Sequence, residues 1–261
     1  MRHPRTLVVA GAGSQARLVE IYVSAGEGVT LTNAVTEVSL GANAAVDYYK
    51  LQRESLSAYH VSRFEALIGP SAALRSHSFA LGAALSRSDV NAVLGGEGGD
   101  CIMNGLYVVG GTQHVDHHTA IDHANPHCTS HELFKGILDG RATGVFNGRI
   151  RVRQDAQKTD SKQTNKNLLL SEDALVQTNP QLEIYADDVK CTHGATIGQI
   201  DENALFYLRS RGLPREAASA ILTYAFAAEI VRQVKTEGLR RSLEREIAER
   251  LGGDVSEGSA A

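Results

Sequence analysis

Tryptophan is absent from this sequence and aromatic residues make up only 5% of it. An immunoglobulin-type sandwich, which buries a Trp, is poorly served by that composition. No apolar run approaches the roughly 20 residues that a membrane-spanning helix needs. Three cysteines, Cys101, Cys128 and Cys191, are too few and too scattered for a disulfide framework, and no CxxC pair offers a zinc ribbon or a cysteine-only cluster site. Excess positive charge is missing too: the net charge of −4 gives no general attraction to nucleic acid. The start, Met1 to Thr6, has two arginines but only the short apolar run Leu7–Ala10 behind them, too little for a signal peptide. The chain therefore reads as cytoplasmic, and as one large or two small domains.

What is present is unevenly spread. Of 25 glycines, 18 precede residue 150, whereas only five prolines occur in all 261 residues. The first 200 residues read as short apolar stretches closed by glycine or polar residues: Thr6–Ala10, Gly28–Thr32, Val35–Leu40, Asn91–Leu94, Ile102–Val109, Gly144–Val152 and Gln181–Tyr185. In Arg149-Ile150-Arg151-Val152-Arg153 the apolar and charged side chains alternate, the period of a half-buried strand. Ser130–Leu138, with Glu132 near its start, is the one short helix expected in this region. Many short strands with little to fill a wide core suit a β-solenoid at least as well as a β-sandwich. No clean repeat decides between them.

The character changes near Asp201. Asp201-Glu202-Asn203-Ala204 looks like a capped helix start, with Leu205, Tyr207 and Leu208 following and Gly212 as a stop. Pro214 suits the beginning of a longer helix. Ala217, Ile221, Leu222, Ala225, Ala228, Val231 and Val234 form its apolar stripe. Gly238 breaks it, and Leu239, Leu243, Ile247 and Leu251 continue at i, i+4 spacing. The plan is a β body over residues 1–200, a helical domain over 201–251 and a small, polar tail over 252–261 that is expected to be disordered.

Four segments carry residues with chemistry. Gly11-Ala12-Gly13-Ser14-Gln15-Ala16 matches the phosphate-cradling turn of a dinucleotide fold, but Arg17–Ser24 behind it alternates like a strand, so the required helix is missing. His114, His117, His118, His123, His127, Cys128 and His131 could ligate zinc or iron; on a strand His114 and His118 share one face, His117 and His123 the other. The plainer reading, a run of exposed histidines hydrogen-bonded by Asp116 and Asp122, is preferred over a free-standing metal-dependent enzyme built on the His114–His131 cluster. Gln154–Asn167, with Lys158, Lys162 and Lys166 at every fourth position and no interleaved aromatics, reads as a solvated stretch between β segments rather than a nucleic-acid patch. Finally, Cys191 and His193 stand two apart before Gly194 and Gly198; on a strand both face one way and could reach one ion or cluster, or could be a buried thiol beside a satisfied histidine.

At this last segment the chain resembles a known family. Asp188–Gly198, then Leu205–Leu213, supported by Asp122–Ser130, Phe134–Leu138, Gly144–Gly148, Gln157–Thr159 and Asn165–Ser171, is similar to the SufB/SufD family of iron–sulfur cluster assembly proteins. The wording Cys-x-His-Gly-Ala-Thr-x-Gly favours the SufD branch, and the likeness runs from about residue 5 to about 250. The resemblance implies a right-handed parallel β-helix core followed by C-terminal helices, and a scaffold rather than an enzyme. It implies pairing with SufB through the β-helices and binding of the SufC ATPase through the helices. A transient iron–sulfur cluster would be shared with SufB, with His193 as the ligand from this side and Cys191 beside it. None would be tightly bound by the isolated chain, which could homodimerise without SufB. Complexes of this family are associated with reduced flavin, to which no residue here is assigned. Members also carry an N-terminal helical region that is not read in this sequence, so the chain is expected to be a short form or a piece of a longer protein.

Overall fold

The computed structural model describes residues 1–26 and 28–252. Fourteen strands come first: β1 (Arg5–Ala10), β2 (Gln15–Val23), β3 (Leu31–Leu40), β4 (Ala45–Arg53), β5 (Tyr59–Ile68), β6 (Ala73–Ala80), β7 (Leu85–Leu94), β8 (Asp100–Val109), β9 (His114–His123), β10 (Thr129–Leu138), β11 (Thr143–Val152), β12 (Asp160–Leu169), β13 (Leu175–Ile184) and β14 (Lys190–Gly198). Three helices follow: α1 (Glu202–Arg209), α2 (Arg215–Val231) and α3 (Glu237–Arg250). Odd-numbered strands stack in one seven-stranded sheet and even-numbered strands in another, every pairing parallel. The chain is thus a parallel β-solenoid of seven two-strand turns.

Alternation puts every second side chain into the lumen between the sheets. On β11, Ile150 and Val152 are buried while Arg149 and Arg151 lie outside, as the sequence alternation predicts. Lumen-facing Tyr48, Phe64, Phe134 and Phe146 belong to one buried cluster with Val38, Ile68, Leu74 and Leu94. The Phe134 and Phe146 ring centroids are 5.1 Å apart, and those of Phe134 and His117 are 5.3 Å apart. These rings fit because the adjacent strand has no side chain at the matching position: a Cβ on Gly105 would overlap the Phe134 ring, and one on Gly136 the Tyr107 ring. Gly105→Ala is therefore expected to destabilise the fold by about 1–3 kcal/mol, since Phe134 has no room to yield. Gly194→Ala, where nothing lies within 4 Å of the added atom, should leave the midpoint of urea unfolding unchanged. Equal midpoints for the two variants would contradict this packing.

The outer face of the even-numbered sheet is covered by helices. Tyr49, Leu51, Phe79, Leu81, Leu106, Val108, Ile137 and Leu168 pack against Ala227, Ile230, Val231, Val234, Leu243 and Ile247. Polar contacts fix the seat: Asn104 Nδ2 donates to Gln233 Oε1 at 2.8 Å, Lys135 Nζ to the Phe226 carbonyl at 2.8 Å, and the Lys235 amide to the Tyr49 hydroxyl at 3.2 Å.

Several expectations need correction. Ser130–Leu138 lies in strand β10, not a helix; Ser130 and Glu132 face the lumen, so the alternation that marks a strand is hidden by polar inner residues. Gln154–Asn167 is not a solvated stretch throughout: β12 begins at Asp160, and Ser161, Gln163, Asn165 and Asn167 are buried. The core face of α2 is Ala227, Ala228, Ile230 and Val231, whereas Ile221 and Ala225 are exposed because the sheet lies under only one side of the helix. Gly238 sits in the first turn of α3; the break falls after Arg232. Asp201 caps α1, its carboxylate accepting from the Asn203 amide at 2.9 Å, as expected. Of the tail over 252–261, all but Gly252 lies outside the described residues.

Candidate functional site

Gly11–Ser14 forms the turn between β1 and β2, and Gln15 and Ala16 already belong to β2, so no phosphate-binding helix follows the motif. The histidine-rich stretch is dispersed. His114 and His118 lie on the outer face of β9, and His118 Nε2 pairs with Asp116 Oδ1 at 3.0 Å. His117 and His123 point inward and are fully buried, which corrects the expectation of a wholly exposed run. His131 is exposed on the outer face of β10, and His127 and Cys128 occupy the corner before it. Asp122, expected to serve a histidine, instead holds Arg153. Among the described residues no group of three or more His, Cys, Asp or Glu side chains could hold a metal ion.

Cys191 and His193 are both on β14, the last strand of its sheet. The register sets Cys191 beside Ser161 and His193 beside Gln163, both lumen-facing residues of β12, so the two candidates do share one face. That face is open, because β14 has a neighbour on one edge only among the described residues. His193 is exposed and Cys191 half-buried. Burial and the nearby Asp160 carboxylate push the Cys191 thiol up. A thiol so placed yields less of the thiolate that binds metal.

The corner leading into β14 is held firmly. The Lys158 amide donates to the Asp188 carbonyl at 2.7 Å, the Lys158 ammonium pairs with the Asp188 carboxylate, and the Asp188 amide donates to Gln157 Oε1 at 2.9 Å. Lys158 adopts φ 61°, a left-handed conformation that these contacts over-determine. The open strand is thus presented from a fixed turn. Sequence reasoning found Cys191 and His193 but missed what lies beneath them: buried Glu132, Gln163, Ser130, Ser161 and His123. The inward parity of strand β10 would have found Glu132, had the strand been recognised.

Fold and site together define the class: a β-solenoid ending in an open strand with a Cys-x-His pair, and flanked by a helical pad. Residues 1–226 match the family model described as the SufBD core domain of the SUF system of FeS cluster assembly. The chain is 39% identical over 96% of its length to the iron–sulfur cluster assembly protein SufD of Escherichia coli K12. It is 37% identical over 93% to a SufBD-family iron–sulfur cluster assembly protein of Synechocystis, and 32% identical over 91% to SufD of Bacillus subtilis. The chain belongs to the SufB/SufD family. It spans 59%, 55% and 55% of the length of these three relatives.

Proposed function

We propose that this chain is a non-catalytic scaffold subunit of a SUF assembly complex. Its seventh turn docks a SufB-type paralogue, and a nascent iron–sulfur cluster forms at that junction with His193 as the ligand from this side. The observation that carries the reading is the exposed Cys191–His193 face on an unpaired edge strand. An open solenoid edge presents a row of unpaired N–H and C=O groups, and a second solenoid is the partner shaped to satisfy them. The same edge explains how isolated chains could pair with themselves. A site with a histidine and partner-supplied thiolates and carboxylates holds its cluster less tightly than four thiolates, which suits a protein that must pass the cluster on.

The SufC-type ATPase is assigned to the C-terminal helices. Their inner face is spent on the solenoid, but Phe206 and Tyr207 on α1 are 71% and 54% exposed and Ile221 on α2 is 47% exposed. Aromatic residues left in solvent are the usual anchors of an interface. Phe206→Asp with Tyr207→Asp is expected to abolish capture of the ATPase in a pull-down while SufB binding persists. Retention of the ATPase would move its site elsewhere. The reading as a whole is tested by purifying the complete protein from its native host and identifying what comes with it. SufB-type and SufC-type subunits should appear together; a chain recovered without either, carrying tightly bound zinc, would instead favour a free-standing metal enzyme.

A further inference from the structure

Two columns of polar side chains run from the open face into the lumen. Under Cys191 stand Ser161 and Ser130, and under His193 stand Gln163 and Glu132, each one strand further in. The Ser161 and Ser130 hydroxyls are 2.7 Å apart, and Ser130 Oγ is 2.8 Å from His123 Nε2. In the other column Gln163 Nε2 donates to Glu132 Oε2 at 2.7 Å. Both columns stop at β8, where the next residues inward are Cys101 and Met103.

The Gln163–Glu132 pair is costly. Gln163 is 0% and Glu132 2% exposed, and Glu132 forms no ion pair among the described residues. Burial pushes its carboxyl up to about 7. Gln163 Oε1 is buried and has no hydrogen-bond partner among the described residues. An orphaned buried acceptor is destabilising, a loss that two apolar side chains would avoid. What the pair does achieve is direction. While Glu132 is ionised its Oε2 can only accept from the amide nitrogen, so a flipped amide would lose that bond, and Oε1 remains the free acceptor on the strand next to His193. Neighbouring strands lie about 4.8 Å apart, within reach for a side-chain hydrogen bond.

We propose that Gln163, held by Glu132, is a positioning residue for His193: its Oε1, unpaired in this structure, is the acceptor to which the ring N–H turns, leaving the other ring nitrogen facing outward for metal. The inference rests on the assignment of His193 as a ligand, and follows the general rule that a metal-bound imidazole gives its second nitrogen to an acceptor that fixes tautomer and orientation.

The test is the 15N spectrum of the His193 imidazole in the complete chain, at a pH where the ring is neutral. The native protein should show one tautomer. Gln163→Leu should return the ring to the mixture seen for free histidine, and Glu132→Leu should do so in part by freeing the amide. Glu132→Gln keeps an acceptor in place and should preserve the native tautomer. Gln163→Met, of equal length, serves if the leucine variant does not fold. In cells, Gln163→Leu should lower cluster-dependent activity by about 10–100-fold. A tautomer mixture in the native protein, or a folded Gln163 variant with an unchanged His193 spectrum, overturns the proposal. Full activity of His193→Ala would instead overturn the ligand assignment, and would leave the tautomer result standing.

Discussion

The His193→Ala protein is expected to fold, to keep its partner subunits and to fail in cluster assembly. The ring is exposed on β14, so its removal leaves no cavity in the core. Surface changes of this kind stay within about 0.5 kcal/mol in stability. A cluster ligand has no substitute on the same strand: Cys191 is half-buried with its thiol pushed up, and no other His, Cys, Asp or Glu occurs on β14. In a strain that depends on this pathway, growth under iron-limited or oxidative conditions should collapse to that of the deletion. Cys191→Ser should have a milder effect, and His114→Ala or His118→Ala little, because those two rings sit on the outer face of the other sheet. Wild-type growth of the His193→Ala strain would remove the residue from the mechanism.

The second large effect concerns acid. His60, His77, His117 and His123 are all buried, and burial lowers their pKa values from 6.5 to about 4, 4, 3 and 4. Between pH 6.5 and those lower values the unfolded chain protonates each ring and the folded chain does not. Stability is therefore present above pH 6.5 and falls as the pH drops through this window. Glu132 works in the opposite sense: raised to about 7, it takes up its proton first in the folded chain, so stability gains from it as pH falls from 7 towards 4.5. Four rings against one carboxyl leave about three protons taken up on unfolding, or about 4 kcal/mol per pH unit where the slope is full. Glu54, lowered to about 2 chiefly by its hydrogen bonds from His60, Thr32 and Gln52 against the opposing effect of burial, adds a further loss only below about pH 4.5. The net loss by pH 5 is about 5 kcal/mol, so a domain at the low end of the usual range of about 5–15 kcal/mol should unfold near pH 5 and a more stable one only nearer pH 4. Urea midpoints at pH 7, 6 and 5 measure the slope, and a flat series would refute it. His117→Phe should reduce the slope by about one proton, because that ring stacks on Tyr107 at 5.3 Å and neither nitrogen has a hydrogen-bond partner among the described residues.

How much of this was legible in the sequence depends on where a side chain's surroundings are written. Strand character shows in residues 149–153 because the lumen there is apolar and the exterior charged. It is lost in 130–138 and 160–167, where Glu132, Gln163 and Asn165 face inward and imitate a solvated surface. The solenoid repeat is invisible because the turns are unequal. Tyr59 stands beside Leu85, 26 positions on, whereas Thr143 stands beside Leu175, 32 positions on, and identical residues seldom recur at matching places. The period of two correctly put Cys191 with His193 and His117 with His123. It could not say that the first pair would be open and the second sealed. That difference comes from whether another strand follows in the stack, a fact of tertiary structure that two-residue spacing does not contain.

The helical cover has a mechanical consequence. A stack in which each turn touches only its neighbours comes apart from its ends like a zipper. Here α2 and α3 span from Tyr49 on β4 to Leu168 on β12, and so brace the second through sixth turns across a sequence separation of 186 residues between Tyr49 and Lys235. The first and seventh turns lie beyond the brace. Local opening is cheapest where such tertiary support is least. Among the described residues the seventh turn is thus held only by its pairing to the sixth and by its own corner contacts at Gln157, Lys158 and Asp188, while the five braced turns are the last to open.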